Sequence, residues 1–194
     1  MHASLRVGKF WSHIPGYRDR ASCPHCNDPT ESLDHILTAC PSPEGTTVWN
    51  LARSIWPTPL GEWQNPTFGL ILGCGSISPP QPQDGNPPLP ATAQARARRI
   101  LISESAYLIW TLRCERVIAG KAHTVESIRN RWIGKINLRL LTDRQRARSL
   151  HRPGLKRQVQ NTWTPLLANQ PNIPPDWVTD PKVLVGIALP RPFA

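Results

Sequence analysis

The chain has 194 residues, and its 23 Lys and Arg side chains against 13 Asp and Glu produce a formal net charge of +10. This length allows one ordinary domain or two small ones. The basic balance predicts an attraction to phosphate-rich partners and says nothing about the fold. No stretch approaches the ~18 apolar residues that a membrane-spanning helix needs, and the first residues lack the apolar core of a secretory signal. We therefore expect an intracellular protein, of the nucleus or the cytoplasm.

The positive charge is concentrated in the second half of the chain. Residues 92–157 hold 13 Arg and 3 Lys against four carboxylates, a net charge of +12, and the rest of the chain carries −2. Such a surface suits nucleic acid, because each phosphate neutralised releases counterions. The alternative is that these cations only solvate helix faces or pair with local acids, but the acids are too few to absorb them all.

In chain order, the first predicted unit is a zinc-binding module with a following helix, residues 1–75. A short apolar segment over residues 10–14 ends in a Pro-Gly turn, and a cluster of cysteines follows. Apolar side chains at helical spacing predict a helix over residues 46–55 that ends at Pro57. Residues 68–72 are apolar but too few to assign to helix or strand.

The cysteine cluster has the spacing of a zinc site. Cys23 and Cys26 are separated by two residues, His35 follows after eight more, and Cys40 after another four. A turn lets two thiolates bind Zn²⁺ from one side, and a following segment supplies the other two of its four tetrahedral ligands. The alternatives are His25 as a rival ligand, and reduced thiols that bind no metal. Four protein ligands would leave no open position for water, which indicates a structural rather than a catalytic metal.

Helix punctuation lies between the two halves of this motif. Asp28, Pro29 and Glu31 are suited to the N-cap, N1 and N3 positions, so a helix is predicted to start there. Five residues of ideal helix turn ~500°, so His35 and Cys40 cannot share one face of a regular helix. We therefore expect the helix to end near residue 39, which lets Cys40 return to the metal.

The other two cysteines are predicted to be bystanders. Cys74 and Cys114 lie far from the cluster, and Cys114 falls on a buried helix, where it is most simply a small core residue. An odd count of five, with three crowded into residues 23–40, favours metal ligation over disulfides in an intracellular protein.

Residues 76–91 are predicted to be a Pro-rich linker. Six prolines between Pro79 and Pro90 remove backbone donors and favour extended polyproline geometry. A motif for a Pro-recognising domain is the alternative to a plain linker or surface loop.

The second predicted unit is a basic helical unit, residues 92–170, with helices near 92–119, 124–149 and 155–167. The first of these is apolar nearly all round and is therefore expected at the centre of the unit. Thr124 is the predicted N-cap of the second helix. Residues 171–194 form a Pro-rich C-terminal tail in which residues 183–189 can supply one edge strand. The predicted fold class is mainly α.

The predicted nucleic-acid contacts are Arg and Lys side chains on the second and third helices of this unit. Arg suits bidentate phosphate contacts and can stack on unpaired bases. The residues are Arg129, Arg131, Lys135, Arg139, Arg144, Arg146, Arg148, Arg152, Lys156 and Arg157.

No catalytic constellation is found in the sequence. The carboxylates are scattered, and the phosphate-cradling, nucleophile-elbow and zinc-protease motifs are absent. Glu104 and Glu115 are three helical turns apart, too far to act as one acid–base pair. They are better interpreted as partners of Arg113, Arg116 or Arg131, so we expect a protein that is not an enzyme.

The motifs together resemble a known family. Residues 6–11 (RVGKFW), 20–26 (RASCPHC) and 30–41 (TESLDHILTACP) are similar to the zinc-binding region of non-LTR retrotransposon reverse transcriptases, specifically the segment after the ribonuclease H domain in basidiomycete elements. The likeness continues through residues 103–116, 130–140, 162–163, 175–178 and 183–187. It implies Cys23, Cys26, His35 and Cys40 as zinc ligands, and a non-catalytic appendage that helps hold template RNA or target DNA.

The resemblance also implies a detached piece of a longer polymerase, because the reverse transcriptase and ribonuclease H motifs of that family are not in this chain. We expect sequence-tolerant nucleic-acid binding. The alternatives are a protein-interaction module that docks onto a polymerase body, and a remnant without selected activity.

Overall fold

The computed structural model describes residues 6–60, 62–77, 89–150, 152–168 and 170–188. Helices dominate these residues, as the sequence predicted, and within them no helix combines the length and the apolar character needed to cross a membrane. The α-helices are α1 (Lys9–Ser12), α2 (Pro43–Ile55), α3 (Phe68–Leu72), α4 (Leu89–Ala119), α5 (Val125–Ser149) and α6 (Leu155–Trp163).

Helix α4 is the centre of the fold. Its 31 residues include Leu101, Ile102 and Leu112, all fully buried, which confirms the sequence-based expectation for a helix that is apolar nearly all round. The helix starts at Leu89 rather than at the predicted residue 92. Pro90 is tolerated there because the N–H groups of the first helical turn have no intrahelical acceptor, so the N–H that Pro lacks costs no hydrogen bond. Residues 89–91 of the predicted linker are therefore helical, while its residues 78–88 lie outside the described part of the chain.

Helices α2, α5 and α6 pack around α4. A single cluster of buried side chains includes Ile36 and Val48 from the first predicted unit together with Leu108, Trp132 and Trp163 from the second. The indole N–H of Trp132 donates to Ser105 Oγ at 2.9 Å, so this buried polar group is satisfied. The two predicted units thus contribute to the same hydrophobic core.

Helix α5 follows the sequence pattern closely. Thr124 accepts a hydrogen bond from the backbone N–H of Ser127 at 3.1 Å, as expected of an N-cap. The apolar side chains of Ile128, Trp132 and Ile136, spaced by four residues, are buried, whereas that of Val125 in the first turn is 55% exposed. After α6, one 3₁₀ turn completes the third predicted helix at Leu166.

The C-terminal segment is part of the core. Trp177, Val178 and Ile187 are at most 2% exposed. The predicted edge strand is reduced, among the described residues, to one antiparallel bridge between Leu167 and Ile187. No neighbouring strand is present in those residues to extend the bridge into a ladder.

Candidate metal centre

Four side chains converge beside the N-terminal part of the fold. One ligand atom from each of Cys23, Cys26, His35 and Cys40 lies within 4.8 Å of all the others. The Sγ atoms of Cys23 and Cys40 are 3.8 Å apart, and Cys26 Sγ is 3.2 Å from His35 Nε2. This cluster of three cysteines and one histidine can hold a metal ion, and its members are the four that the sequence motif predicted.

A tight loop places the first two thiols side by side. The backbone N–H of Asn27 donates to the Cys23 carbonyl at 2.9 Å, and that of Cys23 donates to the Asp28 carbonyl at 2.8 Å. Asn27 adopts φ 61°, a left-handed conformation that Asn tolerates better than most residues. The loop closes on itself and leaves Cys26 near Cys23.

The second pair of ligands comes from a π-helical turn, His35–Ala39. The Cys40 N–H donates to the His35 carbonyl at 2.7 Å. This i→i+5 bond closes a wider turn than the i→i+4 bond of an α-helix and brings His35 and Cys40 close together. Cys40 then leaves with φ −67° and ψ 126°, so the expected end of the helix near residue 39 is confirmed.

The expected helix start at Asp28 is wrong. Helical backbone begins at Leu33, and the Asp28 carboxylate instead accepts from the backbone N–H of Thr30 at 3.0 Å. The loop that presents Cys26 occupies the residues that the N-terminal turn would have needed. Ser32 caps the N-terminus of the helix instead, because its Oγ accepts a hydrogen bond from the His35 N–H at 2.9 Å.

The thiols have unequal proton affinities. Burial would raise the pKa of Cys23, but hydrogen bonds with the backbone of Cys26 and His25 and with the side chains of His35 and Cys26 together outweigh burial and lower that pKa. For Cys40, burial and the charges of Cys23 and Cys26 dominate and raise the pKa to about 12. Metal binding requires deprotonated thiols, and a cation at the centre would offset the repulsion between the negatively charged sulfur atoms.

The dimensions suit a tetrahedral ion. With metal–sulfur bonds of ~2.3 Å, two thiolate ligands lie about 3.8 Å apart, which is the separation of Cys23 and Cys40 Sγ. The far ring nitrogen of His35, Nδ1, is 3.6 Å from Asp28 Oδ2, where an outer carboxylate can orient a metal-bound imidazole. His25 is exposed and is not part of the cluster.

Two ion pairs join this region to the central helix. Arg113 on α4 bonds both carboxylate oxygens of Glu31, and Arg116 Nε donates to Glu44 Oε1 at 2.9 Å. Sequence reasoning missed both, because it assigned these arginines to acids of their own helix. It was right for Arg131, whose hydrogen bonds to Glu115 lower the pKa of that carboxyl.

The ten predicted nucleic-acid contacts fall into separate environments. Arg131 pairs with Glu115, and Lys135 and Arg139 each approach Glu104 to 4.0 Å. Arg129 is half-buried and has an interaction partner, and Arg148 is half-buried, with its Nε shielded from solvent. The exposed ones are Arg146, Arg152, Lys156 and Arg157.

Arg144 does not belong to the predicted surface. It is 5% exposed, and its Nη2 lies 2.7, 2.8 and 2.9 Å from the carbonyl oxygens of Trp177, Asp180 and Val183. A guanidinium enclosed in this way holds the C-terminal segment against α5 and cannot reach a phosphate. The helical pattern of α5 places Arg144 among the polar positions. That pattern depends on neighbouring residues only, so it cannot show that Trp177, 33 residues further along the chain, packs against Arg144.

Comparison with known proteins identified no relative: no family model, curated protein or solved structure matches this chain.

The two remaining cysteines, Cys74 and Cys114, are half-buried and lie outside the ligand cluster.

Proposed function

We propose that this chain is a non-catalytic, zinc-binding module that binds nucleic acid, of the kind that follows the ribonuclease H domain in retrotransposon reverse transcriptases. The donor set supports zinc as the metal, because three thiolates and one imidazole match structural zinc sites and fill its four coordination positions. The sequence resemblance supports the placement beside a polymerase.

The observation that carries the nucleic-acid proposal is a basic corner at the junction of α5 and α6, formed by Arg146, Arg152, Lys156 and Arg157. All four are exposed, and none forms an ion pair with a carboxylate in the part of the chain that the structure describes. Two of the four, Arg152 and Arg157, line a depression of about 540 Å³. Unneutralised cations at a concave surface are suited to a phosphate backbone.

The basic corner is narrower than the surface predicted from the sequence. Acids on α4 neutralise the middle of α5, since Glu104 and Glu115 lie close to Lys135 and Arg131. The unneutralised positive charge supports a small, backbone-directed contact. Binding of this kind is expected to be tolerant of sequence and sensitive to salt.

The test is a titration of purified protein with fluorescent single-stranded RNA and DNA at about 50 mM and 200 mM salt. We expect affinity to fall steeply at the higher salt. The variant Arg152→Ala/Arg157→Ala should bind more weakly and with a smaller salt slope. The control Arg53→Ala/Lys121→Ala removes the same charge from exposed positions elsewhere and should bind as the wild type does. Wild-type protein that binds neither strand at low salt would refute the proposal.

A second candidate is a protein-interaction module that docks onto a polymerase body. Leu138 and Leu141 on α5 are 62% and 42% exposed, and Leu184 is 94% exposed. Leu138 and Leu141 are three residues apart and therefore neighbours on the surface of α5, and an exposed apolar pair is suited to a protein partner. A chain that binds neither RNA nor DNA, but is retained by a purified reverse transcriptase–ribonuclease H body, would favour this candidate.

A further inference from the structure

Exposed aromatic rings gather in the N-terminal segment, residues 6–20. Phe10 and Tyr17 are 40% and 44% exposed, and Trp11 is half-buried. The rings of Phe10 and Trp11 meet edge to face with centroids 5.1 Å apart, and those of Trp11 and Tyr17 lie 5.6 Å apart. This aromatic cluster, Phe10, Trp11 and Tyr17, therefore lies at the surface rather than in the core.

Arginines stack against the same rings. Arg20 Cζ lies 5.4 Å from the Trp11 ring centroid and 5.0 Å from that of Tyr17, and Arg6 Cζ lies 5.8 Å from the Phe10 centroid. Both arginines are exposed. In residues 6–20, four Lys and Arg side chains stand against one carboxylate, so the aromatic cluster is also positively charged.

A cleft of about 500 Å³ lies beside the aromatic cluster. Its apolar lining comes from Trp11 and Pro24 on one side and from Val117 and Ile118, at the end of α4, on the other. Ile118 is 79% exposed. Arg6 and Arg20 also line this space, together with the Asp19 carboxylate and the paired Arg113 and Glu31, so the apolar cleft is combined with a small excess of cationic side chains.

The walls of the cleft are held in position by buried contacts. Gly8 adopts φ 51°, and a Cβ at this residue would collide with the carbonyl oxygen of Glu31. The Glu31 N–H donates to the Ala21 carbonyl at 2.9 Å, while its carboxylate pairs with Arg113. Glu31 thereby links the N-terminal segment to α4, and the two sides of the cleft are preorganised.

We propose that this cleft, between residues 6–24 and the last turn of α4, stacks unpaired bases of single-stranded nucleic acid against Trp11 and the Arg20 guanidinium. Tyr17, whose ring centroid lies 5.6 Å from that of Trp11, extends the stack beside the cleft. Bases stack on aromatic rings and on guanidinium planes, and the stacking is tolerant of sequence because every base has a π-face. Arg6, Lys9 and Arg18 supply charge for the adjoining phosphates.

The inference rests on the proposed function and adds a second contact, for bases, to the phosphate contact of the basic corner. The charge of the segment favours a polyanion over an apolar peptide or a second copy of this equally basic chain. RNA and DNA share the stacking chemistry, so parallel oligouridylate and oligothymidylate strands serve to distinguish them.

The first measurement is photocrosslinking of wild-type protein to strands of about 15 nucleotides that carry 5-iodouracil, followed by peptide mapping. The expected adduct is on Trp11 or Tyr17. This readout needs no variant and therefore does not depend on the folding of one.

The second measurement compares the affinity for oligothymidylate with that for an abasic strand of equal length. Trp11→Ala and, separately, Tyr17→Ala should weaken oligothymidylate binding about fivefold or more and leave abasic binding within about twofold. Tyr107→Ala is the matched control, since Tyr107 is an exposed aromatic residue, 60% accessible, outside the cleft. Bound metal at wild-type stoichiometry verifies that each variant is folded.

The outcomes separate the two proposals. If wild-type protein binds neither oligouridylate nor oligothymidylate, the proposed function fails and this inference fails with it. If the protein binds oligothymidylate and the abasic strand with equal affinity, and no adduct maps to residues 6–24, the base-stacking cleft is refuted. Binding by the basic corner then stands. A dimer that Trp11→Ala dissociates, with nucleic-acid affinity unchanged, would also overturn the inference by making the cleft a protein contact.

Discussion

Arg113 and Glu31 are 82 residues apart in the chain and form a buried, two-bonded ion pair between α4 and the metal-binding loop. Arg113 Nε donates to Glu31 Oε1 at 3.0 Å, and Nη2 bonds Oε2. Their side chains are 9% and 1% exposed. Glu31 lies between Cys26 and His35 in the sequence, so the pair fixes the metal-binding loop on the central helix.

Breaking this pair is expected to be costly. Removing one partner leaves an uncompensated buried charge, so Glu31→Ala should lower the free energy of unfolding by about 3–5 kcal/mol. Urea denaturation measures this loss. The exposed Glu126→Ala is the control and should change stability by less than about 0.5 kcal/mol. Equal effects of the two substitutions would contradict the role given to the pair.

Metal binding is expected to depend on the four clustered ligands only. Cys26→Ser should abolish stoichiometric zinc and lower the thermal midpoint, because metal binding stabilises the folded loop. Cys74→Ser removes a half-buried thiol outside the cluster and should keep one zinc per chain. Elemental analysis of the native protein and both variants checks this. Full zinc content in Cys26→Ser would refute the assignment.

Metal affinity should rise with pH. Burial and neighbouring thiolates raise the pKa of Cys40 to about 12 in the metal-free protein, so at neutral pH this thiol must lose its proton to bind a metal. Each displaced proton adds about a tenfold gain in affinity per pH unit. A competitive titration against a chelator from about pH 6 to pH 8 should show a logarithmic slope of at least one. Affinity independent of pH would exclude Cys40 as a thiolate ligand.

Arg144 and Arg146 are expected to respond in opposite ways to substitution by alanine. Arg144→Ala removes the donor to three carbonyl oxygens and should cost roughly 3 kcal/mol of stability. Arg146 is exposed, so Arg146→Ala should leave stability unchanged and weaken nucleic-acid binding. Parallel denaturation and binding curves measure both effects. Weaker binding by Arg144→Ala, with stability unchanged, would contradict the structural role of Arg144.

The metal ligands were predictable from the sequence because their spacing is a local property. Cys23 and Cys26 can meet across one turn wherever the chain lies, and His35 and Cys40 meet across a single helical turn. The type of that turn was not predictable. A π-turn with the Cys40 N–H on the His35 carbonyl lengthens the hydrogen-bonded ring by one residue, and the packing of Trp49 stabilises it, since its indole N–H donates to the Leu37 carbonyl at 2.8 Å.

The sequence by itself determined a mainly helical chain with a Cys/His cluster and an excess of positive charge in residues 92–157, because periodicity, ligand spacing and charge are properties of neighbouring residues. Only the tertiary structure decided which cations remain available. Glu31, Glu44 and Glu115 take up Arg113, Arg116 and Arg131, and the returning C-terminal segment encloses Arg144. The physical reason is that an ion pair or a carbonyl cage forms between segments distant along the chain, and the charge of one helix carries no record of what packs against it.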